Sequence, residues 1–128
     1  MVKMVIVCRS DLKLRKGQLM AQAAHASMIW LTKMLRYGMP KDSDIYRAVT
    51  VEFTEEEKEW ITGPFTKIVL SVDSRDNLET IEAIAIEAGL ICNRVEESTL
   101  GGEVTCIGIG PHDAEKIDPI TRHLKPFS

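Results

Sequence analysis

The sequence predicts an α/β protein, a three-layer α/β/α sandwich whose mixed sheet has four strands. Two observations carry that expectation. Short runs rich in Val, Ile and Leu alternate along the chain with longer stretches whose apolar residues recur at helical spacing. The loop between the third and fourth runs, residues 96–103, is too short to hold a crossover helix, so at least one strand pair is antiparallel. The 128 residues make a single domain, 1–128, large enough to bury a core without metal or disulfide.

Residues 3–8 form a nearly continuous apolar run, which fits a central strand buried on both faces. A basic loop follows, and the longest helix runs from Gly17 to about Arg36, with Leu19, Ala23, Ala26, Ile29, Trp30 and Met34 at helical intervals and Gly38 and Pro40 as its stop. Residues 48–53 read as a short edge strand or a loop. Thr54 and Glu57 have the spacing of a capping box that opens a short helix to about Ile61, so the run Glu55-Glu56-Glu57 is structural: it complements the helix dipole.

A second strand spans residues 66–72. Asp73 or Ser74 then caps a helix carrying Leu78, Ile81, Ile84, Ala85 and Ala88 that ends at Gly89. The third strand is 90–95 and the fourth 104–109. Gly110-Pro111 turns the chain into a last helix from about Asp113, interrupted near Asp118-Pro119. Gly108 and Gly110 suit close packing or a bend, and lack the further glycine of a nucleotide-binding loop. Gly101-Gly102 suits a turn.

Composition narrows the class. With 45% hydrophobic and 27% charged residues the chain is that of a soluble globular protein. No run approaches the ~20 apolar residues a bilayer span needs, and no signal-peptide pattern opens the chain, so the expectation is a cytoplasmic protein without a membrane partner. Cys8, Cys92 and Cys106 are odd in number, far apart and set in strand-like runs; they and the three histidines show no metal-ligand spacing, so neither a metal nor another cofactor is expected.

The net charge of -3 hides a polarised chain. Residues 1–41 hold eight Lys or Arg against one acid, Asp11, whereas the remainder holds eight bases and eighteen acids. Within the basic part, Arg9, Lys13, Arg15 and Lys16 precede a helix on which Gln18, Gln22 and His25 fall at i, i+4 and i+7, one polar stripe beside small residues. Positive charge at a strand-to-helix turn suits an anion such as phosphate.

Met4-Val5-Ile6-Val7, Arg9-Ser10-Asp11-Leu12-Lys13, Lys16-Gly17, Ala21-Gln22-Ala23-Ala24-His25-Ala26 and Thr105-Cys106-Ile107-Gly108-Ile109-Gly110-Pro111, with Ile117-Asp118, Ile120-Thr121 and Leu124-Lys125, resemble the archaeal and eukaryotic type of peptidyl-tRNA hydrolase. The resemblance runs through the chain in order and is weakest between residues 40 and 64. It implies a four-stranded mixed sheet flanked by helices, a homodimer, and hydrolysis of the ester between a peptide and the 3′ end of tRNA.

Carried onto this chain, the resemblance implies a site in which Glu97 and His25 position or activate water and Thr99 and Thr105 donate hydrogen bonds. Lys13, Arg15, Lys16 and Gln22 would hold the substrate. Two departures stand out. Gln18, counted with the catalytic residues, occupies the place of a lysine the family treats as important, and the loop before the last strand is shortened, with Glu97 at the family's aspartate. The alternative these departures support is a member of the same fold that binds tRNA or another protein with weak or no hydrolysis.

Overall fold

The computed structural model describes residues 1–38 and 48–128. The expected helix stop at Pro40 and the basic Lys41 lie outside the described residues. The elements run β1 (Val2–Arg9), α1 (Lys16–Tyr37), α2 (Glu55–Thr62), β2 (Lys67–Val72), α3 (Arg75–Glu87), β3 (Cys92–Glu97), β4 (Glu103–Asp113), α4 (Ala114–Thr121) and β5 (Lys125–Pro126), with one 3-10 turn at Ser98–Leu100.

Among the described residues one mixed sheet holds five strands, not the four expected, in the order β3-β4-β1-β2-β5. β1 and β2 are parallel and the other three pairs antiparallel. The added strand, β5, escapes sequence reading because it is two exposed residues, too few for a pattern of period two. Its Pro126 is tolerated because it lies at the sheet edge, where a missing N–H interrupts no ladder. Residues 48–53 are not a strand.

β1 is the middle strand, and all eight of its residues are buried. Its side chains alternate between two apolar clusters. Val5 and Val7 join Leu78, Ile81 and Ala85 of α3 and Ile117 and Ile120 of α4. Val2, Met4, Ile6 and Cys8 join Ala26 and Trp30 of α1 and Trp60 of α2. Cys8 faces Cys106 across the β1–β4 ladder, and both thiols are free and buried. Ile84, placed by its spacing among the apolar residues of α3, is exposed instead.

Gly110-Pro111 does not end the fourth strand. β4 continues to Asp113 because Gly110 and Pro111 together sit opposite Met4 in a bulge, between the Val5–Ile109 and Lys3–His112 pairs. Pro119 does not interrupt the last helix either. The carbonyl its missing N–H leaves unpaired belongs to Glu115, which is exposed and open to water.

Two contacts set where the helices lie. A Cβ on Gly108 would stand 2.5 Å from the backbone oxygen of Ala26, so only glycine lets α1 lie this close to β4. At the other end of the sheet, the expected capping box of α2 forms between Thr54 and Glu57, and the buried Glu57 also accepts from the indole N–H of Trp30. Glu56 ties α2 to β4 and α4: it accepts from Lys116 Nζ at 2.7 Å and from the Asp113 N–H at 2.6 Å. His112 Nε2 accepts from the Ile91 N–H, so the ring proton sits on Nδ1, 3.3 Å from Glu56 Oε1.

Burial would push the Glu56 pKa up, but Lys116, the Asp113 N–H and His112 outweigh it and bring it down to about 2. A carboxylate whose folded pKa is depressed stabilises the fold above its ordinary value and loses that contribution as pH falls through the folded one. Glu56→Gln is therefore expected to cost about 2–3 kcal/mol near neutral pH. Urea denaturation should show the gap to wild type closing between the ordinary 4.5 and about 2.

Candidate functional site

The centre of the site is a buried carboxamide. Gln22, only 3% exposed, projects from α1 onto the sheet where Gly108 has let the helix come close. Its Oε1 accepts from the Thr105 hydroxyl at 2.7 Å, and its Nε2 donates to Glu97 Oε1 at 3.1 Å. The orientation of the amide follows from the partners, since an ionised carboxylate only accepts and the NH₂ must therefore face Glu97. Three separate elements, α1, β3 and β4, are joined in one chain of hydrogen bonds.

Thr105 reaches Gln22 because of a second bulge. Val95 pairs with Cys106 and Glu96 with Val104, which leaves Thr105 as the extra residue on β4. Such a bulge re-aims a side chain. Here it turns Thr105 toward α1, beside Cys106, whose thiol donates to the Gln22 carbonyl at 3.3 Å.

Glu97 ends β3 at a tight hairpin, paired in register with Glu103. The 3-10 turn and the positive φ of Gly101 and Gly102 close the hairpin, and the Gly102 N–H returns to the Glu97 carbonyl at 2.9 Å. The Gln22 amide holds the Glu97 carboxyl below its ordinary pKa, against a smaller opposing effect of burial; the Thr99 N–H and side chain and the nearby His25 add to the lowering. Glu97 is thus a held, ionised carboxylate with one oxygen committed to Gln22.

The expected residues divide accordingly. Glu97, Gln22, Thr99, Thr105 and His25 are brought together, with Gln22 and Thr105 buried and His25 exposed. Gln18 stands apart from them: its Oε1 accepts from the Arg15 N–H at 3.1 Å and fastens the first turn of α1. Lys13, Arg15 and Lys16 are exposed around that helix start, where no acid occupies the first turn. Lys13 also lines a small cavity of about 260 Å³ with Leu14 and Leu19.

Arg9 does not join the exposed basic cluster that its position in the sequence suggests. It is buried, paired with both oxygens of Asp11, and donates to Glu103 at 2.5 Å and to the Val104 carbonyl at 3.0 Å. By holding Glu103 it anchors the hairpin that presents Glu97. Sequence reasoning missed this role, because the pairing joins residues 94 positions apart.

A family model described as Peptidyl-tRNA hydrolase PTH2 matches residues 2–127. The chain is 37% identical over 130 residues to a curated peptidyl-tRNA hydrolase of Methanothermobacter thermautotrophicus, covering 97% of this chain and 98% of the relative. Its identity to the peptidyl-tRNA hydrolase of Methanopyrus kandleri is 34%, with 97% of each chain covered. A solved structure of a protein of unknown function from Agrobacterium tumefaciens shares the fold at a TM-score of 0.58 and 12% identity, over 99% of this chain and 98% of that one.

Thr105→Val keeps the side-chain shape and removes the hydroxyl, so the buried Gln22 Oε1 loses its partner. The expected cost is about 1–3 kcal/mol in urea denaturation. Unchanged stability would mean that Gln22 finds another donor.

Proposed function

This chain belongs to the peptidyl-tRNA hydrolase PTH2 family and hydrolyses the peptidyl-tRNA ester, and we propose that Glu97 is the group that acts on the attacking water. The observation that supports this reading is the Thr105–Gln22–Glu97 chain, which holds the carboxylate in one place near the exposed His25. Glu97 takes the water's proton as its oxygen attacks the ester carbonyl. The tetrahedral intermediate then expels the ribose oxygen of the tRNA, which receives that proton. A carboxylate with a lowered pKa is a weak base, so much of the acceleration comes from orienting the water rather than from basicity.

His25 stands at the exposed side of Glu97, where it meets the substrate, and Thr99 and Thr105 act by holding Glu97 and Gln22 in place. The N-terminal end of α1, with its unopposed helix dipole and the exposed Lys13, Arg15 and Lys16, takes backbone phosphate of the tRNA. Gln18 supplies no charge there; it serves the helix start, and the neighbouring cations carry the attraction. The two apolar clusters favour a three-layer arrangement, and the exposed stripe Met20, Ala24 and Met28 on α1 favours a second copy of this chain as partner.

The test is release of tRNA from an N-blocked aminoacyl-tRNA. Glu97→Gln keeps the size and the contact to Gln22 but is expected to lower kcat by about 10²–10⁴, the range of acid–base groups; turnover within threefold of wild type overturns the assignment. Because Glu97 acts ionised and its pKa lies below 4.5, kcat/KM should hold as pH falls to about 5 and drop only below the ordinary carboxylate value. Lys16→Ala should flatten the salt dependence of KM by about one unit of slope, and Gln18→Lys should steepen it by about as much.

A further inference from the structure

At the same end of the sheet as Glu97, but on the α3 face, a cavity of about 560 Å³ opens where the parallel strands β1 and β2 finish. β1 leads into α1 and β2 into α3, and those helices serve opposite apolar clusters. Parallel strands whose connections part in this way leave a crevice at their carboxyl ends, the usual place for a ligand in an open α/β sheet. The crevice is linked to the hairpin that carries Glu97 through the chain itself. Ser10, in its wall, follows Arg9, which holds Glu103, the register partner of Glu97.

The lining has the chemistry of a nucleotide site. Lys125 and His123 present a cation and an imidazole with no side-chain partner among the described residues. Asp73 Oδ1 accepts from Asn77 Nδ2 at 2.6 Å, leaving Oδ2 open, and the Ser10 hydroxyl donates to the Val72 carbonyl at 3.2 Å, leaving its oxygen to accept. The half-buried Leu124 supplies an apolar surface. The volume lies within the range of small-ligand pockets.

Resting on the hydrolase reading above, we infer that this cavity receives one nucleotide of the unpaired CCA end of tRNA. The exocyclic amine of cytosine or adenine donates to Asp73 and Ser10, the base lies against Leu124 and the His123 ring, and Lys125 takes the phosphate. The peptide moiety fits less well, because an N-blocked peptide brings neither an anion for Lys125 nor a planar ring for His123. The site is a binding subsite that grips the acceptor end while Glu97 meets the ester.

Lys125→Ala and His123→Ala alter exposed side chains and should leave folding intact. With N-acetylaminoacyl-tRNA each is expected to raise KM about fivefold, with kcat within twofold. Amide chemical shifts of Ser10, Asn77 and Lys125 should move when the trinucleotide CCA is added to the wild type, and fail to move in Lys125→Ala. Unchanged KM in both variants, or shifts confined to residues around α1, overturns the inference. The trinucleotide titration needs no turnover, so a wild type that binds CCA in the cavity without hydrolysing substrate would sink the catalytic reading alone.

Discussion

A carboxamide buried between a helix and a sheet must satisfy both of its ends, and Gln22 does so with partners from two different strands. An unpaired polar group in that position costs as much as several ordinary hydrogen bonds contribute. The requirement fixes how α1 sits on the sheet. The helix has to approach closely enough for a side chain of Gln22's length to reach β4, and Gly108 permits that approach. The extra residue in β4 must turn Thr105 inward, and the hairpin must bring Glu97 back to the same point. The acidic group is therefore positioned by the packing of α1 on the sheet and by the pairing of its own strand with β4.

A second constraint acts through β1, which lies wholly inside the protein and yet carries a cation near each end. Lys3 meets Asp118 at 2.5 Å, and Arg9 meets Asp11 and Glu103. Buried charge is tolerated only with such partners. Arg9 has both Asp11 oxygens and Glu103 to satisfy its fork, and by doing so it links the start of the basic loop to the β3–β4 hairpin. Three exposed cations, Lys13, Arg15 and Lys16, are gathered at the start of α1, which concentrates positive potential there.

Much of this was legible in the residues. The unbroken apolar run of β1 marks it as central, Thr54 and Glu57 announce the start of α2, and the short connection between β3 and β4 requires an antiparallel pair. That Glu97 and Thr105 belong to one site was legible only as a family resemblance, and the place of Gln22 between them was not legible, since the resemblance had it holding substrate and nothing local brings together residues so far apart in the chain. The bulges were not legible at all. One extra residue leaves no mark on a Val/Ile pattern, and Gly110-Pro111 carries the ordinary signature of a turn. Gln18 misled by its helical spacing: a glutamine at the third position of a helix folds back on the backbone, as a capping residue does.

The sheet's two borders differ from its interior in a way that bears on how the protein behaves in company. On one side β5 offers only two residues, and Pro126 has no N–H to give a newcomer. On the other, β3 carries Asn93, Arg94, Glu96 and Glu97, with Arg94 clasped by Glu82 and Glu79 of α3. An open border invites another chain to add itself as a further strand, and proline and charge are the ordinary deterrents. A small protein with a strongly β-forming centre is in this way kept from templating its own aggregation at high concentration, with no cost to the buried strands that hold it together.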